Sequence, residues 1–573
     1  MPGALLQLVR TGAQNELLNG NPSMTHFRSY YRRHTNFAME HVRMAFTSSN
    51  LELTATGTKT LSCRIDRYGQ LLHDCYTVFT LPDIWSPLKQ FTGPAPPGYQ
   101  SASNSIGYEF QWIDNIGYNM IDHITLTMNG QVIQRLSGEW LKMYSYLTHD
   151  SNKREIVNQM VGNVPELNDP ANAYDRQNQY PHAITPSTIP TTGPQTVTPE
   201  PSIRSRQLVI PLHFWFCENP GTVLPLVSLQ NAEVYINVTF RSLNDLYTVI
   251  DVDKNSPTFG TRIKPNNDNA YNALTLFLSP PLVNGTQSNP ILTNFFPDPY
   301  IEGNFVFLTE MEMHQLAKAD QTFLVRNIRY VNKEGQFGAN SDLELPFFNM
   351  VTRVVFFAQR SDRMLLNDWD NYTNWQNANR APWDISSSPA NTSLYSTGQQ
   401  QVSSVYPKDA VIDALLLFDG EERITAKPSK FFSLLQTYRH TTGDTPQLPG
   451  MYTYSFALDN DVYQPSGAVN GSMFNKAILR TSLQQPLPLS SGTPATIEYV
   501  IKSTLFNQIP TTITAAQCAL LKADGTKLYK DVVSVVRTND NIIFVHTYNL
   551  GAYVESINYL RIVSGTGNLV FAS

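Results

Sequence analysis

AEVYINVTFRS, residues 232–242, sets hydrophobic side chains at every second position. Val234, Ile236, Val238 and Phe240 fall on one side of an extended chain, and Glu233, Asn237, Thr239 and Arg241 on the other. An extended backbone turns successive side chains to opposite faces, so the stretch reads as a strand with one face on a core. RQLVIPLHFWF (206–216) repeats the pattern through Leu208, Ile210, Leu212, Phe214 and Phe216. In HITLTMNGQVIQRL (123–136), Ile124, Leu126 and Met128 alternate with Thr125 and Thr127 until Asn129-Gly130. That dipeptide accepts the positive φ angles of a type I′ turn, and Gln131 starts the return strand.

Helical spacing is confined to short stretches. GEWLKMYSYLT (138–148) brings Leu141, Tyr144, Tyr146 and Leu147 together, and SKFFSLLQTYRH (429–440) does the same from a Ser429 cap through Phe432 and Leu435. ALLQLVR (4–10) is a further one or two turns, stopped by Gly12. These are decorations on a β scaffold. Residues 181–202 carry Pro and Thr too densely for a ladder or a helix. Residues 253–290 form a polar break between two strand-rich halves, and the domain boundary is placed there. With 573 residues the chain exceeds one ordinary core. The halves share no visible sequence repeat.

Charged residues make up 15% of the chain, against roughly 25% in an average soluble protein. Tyr, Phe, Asn, Thr and Pro take their place. Such a surface suits a protein that buries much of itself in partners, or a large β protein whose long turns use Asn, Thr and Pro. Four scattered cysteines (Cys63, Cys75, Cys217, Cys518) make no disulfide framework, which fits a reducing compartment. The start lacks a signal-peptide pattern, and no run of about 18 apolar residues occurs. The expectation is a soluble chain made inside the cell.

FRSYYRRHTNFAME (27–40) raises the question of nucleic acid. Through residue 45, five arginines (Arg10, Arg28, Arg32, Arg33, Arg43) face only Glu16 and Glu40. Non-specific DNA binding uses about 6–10 phosphate contacts, and the chain as a whole has a net charge of -6. The stretch reads better as a packed interface in which arginines fork onto carboxylates and carbonyls. Cys63, His73 and Cys75 lack a fourth ligand at zinc spacing, and His26, His34 and His41 are too far apart for one helical face. No nucleophile elbow, P-loop or H-E-x-x-H occurs. LNDWDNYTNW (366–375) has the carboxylates and rings of a sugar-binding loop, Asp368, Trp369, Asp370 and Trp375, but also the Asn and Asp of an ordinary turn. Of five N-x-[ST] sequons, Asn237 is on an expected strand and Asn470 completes the set. Asn284, Asn371 and Asn391, in loop-like sequence, are the candidates for glycosylation.

Six ordered blocks then resemble the major capsid proteins of nucleocytoplasmic large DNA viruses, the mimivirus, iridovirus and phycodnavirus assemblage. They are LLQLVRTGAQNELLNGNPSMTHFRSYYRRHTNFAME (5–40), CRIDRYGQLLHDCYTVFTLP (63–82), WIDNIGYNMIDHITLTMNGQVIQRLSGEWL (112–141), IPLHFWFCENPGTVLPLVSLQNAEVYINV (210–238), MYTYSFALDNDVYQPSGAVNGSMFN (451–475) and YNLGAYVESINYLRIVSGTGNLVFAS (548–573). Gln70 departs from the family's usual Asp. Residues 85–108, 150–200, 360–410 and 485–540 match less well, and the resemblance casts them as outward loops.

The resemblance implies an all-β chain, a double jelly roll of two eight-stranded antiparallel β-sandwiches with short helices and long loops. The expected division is an N-terminal arm at 1–25, a first jelly roll at 26–252, a linker at 253–298 and a second jelly roll at 299–573. The implied role is structural, without catalysis, cofactor or metal. Homotrimers form pseudo-hexagonal capsomers, which meet neighbouring capsomers in the virion's icosahedral shell after synthesis in the host cytoplasm. Minor capsid proteins beneath the shell are further partners. An inner viral membrane stands between shell and genome, so direct nucleic-acid binding is not expected. FRSYYRRHTNFAME would then enter the first strand at the capsomer base. There Tyr30, Tyr31 and Phe37 pack, and Arg32, Arg33 and His34 hold carbonyls or acids. The competing readings are a jelly-roll lectin using Trp369, a carbohydrate-active enzyme on the same sandwich, and a minor capsid paralogue.

Overall fold

The computed structural model describes residues 10, 12–48, 50–86, 88–90, 105–176, 180–183, 200–250, 262–265, 273–280, 295–365, 367–375, 407–444, 448–484, 497–501, 532–537 and 547–571. Strands dominate, in antiparallel sheets. The first half builds a sandwich from β1 (Phe37–Ala45), β2 (Lys59–Arg64), β3 (Leu71–Leu81), β4 (Ile121–Met128), β5 (Gln131–Ser137), β6 (Arg206–Pro211), β7 (Val234–Phe240) and β8 (Tyr300–Leu308). One sheet has β1, β8, β3 and β6 side by side, and the other β2, β7, β4 and β5.

The second half uses β9 (Gln321–Gln336), β10 (Ser341–Leu345), β11 (Met350–Arg360), β12 (Val411–Phe418), β13 (Glu421–Pro428), β14 (Met451–Ser455), β15 (Ala477–Leu483) and β16 (Tyr548–Val563). Its sheets run β9, β16, β11, β14 and β10, β15, β12, β13. Adding eight to every label of the first sandwich gives the second. The chain is a double jelly roll: two sandwiches of one topology with no visible sequence repeat.

Local chemistry accounts for the expected strands. β7 lies between β2 and β4 and buries Val234, Ile236, Val238 and Phe240 as the alternation requires. The β4–β5 hairpin turns on Asn129 and Gly130, at φ 49° and 82°, with Met128 opposite Gln131. The second jelly roll repeats the device: Asp419 and Gly420 take φ 53° and 89° where β12 turns into β13. β6 is shorter than its alternation predicted. The ladder ends where Pro211, which has no N–H to continue it, faces Tyr76. Leu212, Phe214 and Phe216 are buried nonetheless, in the turn that follows.

Four helices matter. α1 (Gly138–Thr148) follows β5 directly, with Ser137 accepting from Trp140 N. α2 (Ser151–Val161), which the sequence reading missed, is capped by Asp150 and stopped by Gly162 at φ 78°. α3 (Glu310–Lys318) joins the sandwiches. α4 follows β13, wound as a π-helix over Phe431–Leu435 and as an α-helix over Gln436–His440. Ser429 does not cap α4, because its hydroxyl donates to Asp409 instead. Of the expected N-terminal turns, residues 4–9 lie outside the described residues; further along, the arm has a short helix at Glu16–Asn19.

The expected domain limits are corrected. Residues 300–308 are not the start of the second jelly roll: β8 lies between β1 and β3, with Phe37 opposite Leu308 and Ala45 opposite Tyr300. In a Greek key the last strand returns beside the first, so a polar insertion ahead of it does not end a domain. The division therefore falls at α3. The first jelly roll likewise begins at Phe37 rather than residue 26, and the exposed arm ahead of it reaches residue 36.

Candidate assembly interface

Two regions bear on assembly: the seam between the jelly rolls and the arm before β1. The seam is built around α1, which lies against the outer face of the β9–β16–β11 sheet. Trp140 is buried with its ring 5.3 Å from that of Tyr553. Glu139 accepts hydrogen bonds from Tyr372 (2.7 Å) and Tyr553 (2.9 Å). β5 joins in, as Gln134 donates to the Arg326 carbonyl at 2.8 Å. At the C-terminal end of α1, Gly443 N donates to Leu147 O at 2.7 Å. A Cβ on Gly443 would come within 2.5 Å of Tyr146 O, so only glycine permits this approach.

Charges are sealed into the same seam. Arg353, 1% exposed, pairs with Glu555 at 2.5 Å and Asp461 at 3.1 Å. Arg326 lies 3.6 Å from both Glu218 and Glu555, and burial holds the Glu218 carboxyl above its ordinary range. Buried ions are tolerated when paired in this way. The pairing ties β11, β16 and the 456–468 loop of the second jelly roll to Glu218 of the first.

The Trp-Asp loop belongs to this seam and does not offer a sugar platform. Trp369 donates to Asp245 O at 2.9 Å and stacks under Arg241, whose guanidinium carbon is 4.1 Å from the ring centre. Asp370 pairs with buried Lys142 of α1 and accepts from Asn119 at 2.8 Å and Asn115 at 2.5 Å. Burial and the neighbouring Asp114 and Asp370 carboxylates push Asp368 up to about 7. Lys142 neutralises Asp370 within the chain, so this carboxylate is already held and is not free for the role glycosidase chemistry needs. Asn371 is 4% exposed, and its side chain serves Trp375 O and Thr373. A glycan on Asn371 is incompatible with this packing. Asn284 and Asn391 lie outside the described residues.

His73 and Cys75 sit on β3 with the imidazole 3.3 Å from Phe216 O, and Cys75 is buried in the first core. Gln70, the departure from the family pattern, accepts from Leu308 N at 3.1 Å and so helps hold β8.

The arm presents the opposite picture. Tyr30 is 62% exposed, Tyr31 91% and Phe37 50%, and Arg32, Arg33 and His34 also face solvent. Within one chain none of the three rings is packed away. Thr35 donates to Glu312 of α3 at 3.1 Å, tying the arm's end to the body.

Sequence reasoning missed the seam charges. The one visible signal was Arg353 inside the apolar run MVTRVVFF, since a lone charge on a core strand calls for a buried partner.

Two jelly rolls of one topology, locked by a buried seam and carrying an exposed aromatic-basic arm, define a double jelly-roll building block. Comparison with known proteins names its family. Residues 25–276 match the family model "Major capsid protein N-terminus" and residues 312–516 match "Large eukaryotic DNA virus major capsid protein". A major capsid protein of Phaeocystis pouchetii virus is 26% identical over 548 residues, covering 84% of this chain and 93% of that one. The quasi-atomic model of the PBCV-1 virus capsid shares the fold with a TM-score of 0.57 at 19% identity, over 96% of this chain and 100% of that one. The Faustovirus major capsid protein gives 0.58 at 13% identity, over 96% and 94%. The chain belongs to the major capsid proteins of large eukaryotic DNA viruses.

Proposed function

We propose that this chain forms homotrimers, each a pseudo-hexagonal capsomer, that tile the icosahedral shell of a large DNA virus. The observation that carries the reading is the repetition of one jelly-roll topology within a chain whose seam fixes the two copies together. Three such chains supply six similar lobes. The arm supports the same reading: aromatic rings left in water by the monomer are the kind of surface an obligate partner covers. At the capsomer base, Tyr30, Tyr31 and Phe37 pack against neighbours, and Arg32, Arg33 and His34 meet carbonyls or acids of the same chain type or of minor capsid proteins beneath. The role is structural and needs no catalytic step, cofactor or nucleic-acid contact.

The test is the native mass of the purified chain, with images of the same peak. A particle near three times 64.5 kDa with a hexagonal outline is the expected result. A stable monomer at every concentration contradicts it. Replacing Arg32 and Arg33 together by alanine is expected to impair trimer or shell assembly. Normal assembly of that variant with loss of DNA binding alone would overturn the structural role given to the arm.

A further inference from the structure

Lys142 is the one lysine buried among the described residues, at 1% exposure. Its ammonium is in direct contact with Asp370 Oδ1 and lies 3.4 Å from Asn119 Oδ1. Asn119, 3% exposed, closes the short helix Ile116–Asn119. The same Asp370 Oδ1 accepts from Asn119 Nδ2 at 2.8 Å, while Asn115 Nδ2 holds Oδ2 at 2.5 Å. One carboxyl group thus touches both the amine of Lys142 and the amide nitrogen of Asn119, and the amine faces the carbonyl of that amide.

The surroundings fix this arrangement and keep water out. Gly138 begins α1 so close to the short helix that a Cβ there would collide with the Tyr118 and Ile121 carbonyls. A second bond from Asn119 Nδ2, to Asp114 O at 2.7 Å, sets the plane of its amide. The ring of Tyr372, wholly buried, is centred 5.0 Å from Lys142 Nζ. In water an amide resists a lysine side chain, because the amine is protonated and weakly nucleophilic in that form. Held in contact inside a sealed site, the two groups react as parts of one molecule. Charges taken out of water are costly even when paired. Passing a proton from Lys142 to Asp370 therefore costs far less here than in solvent, and it frees the amine as a nucleophile.

We propose that Lys142 and Asn119 join in an intramolecular isopeptide bond, with Asp370 as the catalytic acid and base. Lys142 Nζ, having given one proton to Asp370, attacks Asn119 Cγ. Asp370 returns that proton to Nδ2 as the Cγ–Nδ2 bond breaks, and ammonia departs. The second proton shed by Nζ ends on Asp370. The buried ammonium–carboxylate pair thereby becomes a neutral amide beside a neutral carboxyl group, and no oxidant or cofactor is consumed. The bond ties α1, the helix of the seam, to the segment that enters β4, closing a covalent ring around the β4–β5 hairpin. It does not rest on the trimer reading.

The experiment is the intact mass of the purified full-length chain under denaturing conditions, followed by peptide mapping. A chain lighter than its sequence by one ammonia, with a branched peptide joining Asn119 to Lys142, is the expected result. The full sequence mass in a chain that unfolds cooperatively overturns the proposal. So does a loss of water with the branch at Asp370, which would make Asp370 the electrophile. An ammonia loss that maps to Asn129-Gly130, where ring closure onto the backbone also releases ammonia, overturns it as well. Lys142→Arg keeps a cation opposite Asp370 and is expected to restore the full mass. In Asp370→Asn, sampled during cell-free synthesis, the Asn119 branch is expected to form about 10²-fold more slowly or worse, as general acid–base groups contribute about 10²–10⁴-fold. A branch at Asn119 that forms at the wild-type rate in that variant overturns the role given to Asp370.

Discussion

The two jelly rolls have the same strand order and opposite surroundings. In the second, the outer face of the β9–β16–β11 sheet is sealed under α1, with Arg353, Glu555 and Asp461 paired in the dark. In the first, the same face is exposed along β1, with Phe37 and Met39 at 50% and 55%, and its charges, such as Arg43 and Asp298 at 55% and 48% side-chain exposure, sit in water. Topology is thus set by patterning that both halves share. What each face is made of depends on whether the chain itself builds a neighbour over it.

The contrast is tested first by charge. Arg353→Ala leaves Asp461 buried without its ion pair and Glu555 with only Arg326 at 3.6 Å, which is expected to cost about 3–5 kcal/mol in denaturant unfolding. Arg43→Ala, at the corresponding open face, is expected to shift the midpoint hardly at all, as exposed pairs contribute about 0–1 kcal/mol. Equal effects would erase the distinction. The two helices give a second pair. Trp140→Ala removes a ring buried in the seam and is expected to cost about 3 kcal/mol or more, whereas Tyr438→Ala, at an α4 ring that is 76% exposed, should leave the stability of the chain nearly unchanged. Next, Gly443→Ala brings a methyl group into the Tyr146 and Leu147 carbonyls, an overpacking expected to cost about 1–3 kcal/mol. Gly420→Ala, with nothing within 4 Å of its Cβ, strains only its φ, by about 1–2 kcal/mol.

A further contrast is in pH dependence. Burial pushes His149 down to about 4 and His213 to about 3, with the charges of Lys153 and Arg154 adding to the effect on His149 and those of His149 and Lys153 to that on His213. Their rings are 5.8 Å apart at the end of α1. Unfolded, each histidine takes up its proton near pH 6.5, so between there and about 4 the unfolded chain binds more protons than the fold. The stability these groups contribute is present above about 6.5 and lost as the pH falls toward 4. His149→Gln should flatten that slope in unfolding curves measured between pH 4 and 7. Asp368 has the opposite sign. Its carboxyl ionises near 3.8 when unfolded and near 7 in the fold, so its burial costs stability increasingly as the pH rises through that window. Asp368→Asn should therefore stabilise the chain at pH 8 and leave it unchanged at pH 3. A stabilisation that is the same at both values would contradict this assignment.

What could be read from the sequence was what depends on near neighbours. The alternation of β7 and the Asn129-Gly130 turn each need only a few adjacent residues, and both form as expected. Asp419-Gly420 carried the same turn signal and passed unnoticed between β12 and β13. The domain limit was illegible because β8 joins β1 across more than 250 intervening positions, with a polar insertion just before it. The seam was illegible for the same reason: Glu139 meets Tyr553, and Lys142 meets Asp370, far along the chain. Trp369 misled because a ring and carboxylates in an Asn-rich loop look alike whether they await a sugar or grip Arg241.

The most direct test of the account is a reconstruction of the assembled particle at a resolution that traces strands. The predicted map has three chains and six similar lobes, with α1 of every copy lying on β16 and β11 of the same chain. A particle with any other number of chains, or with α1 detached from β16 and β11, would contradict it.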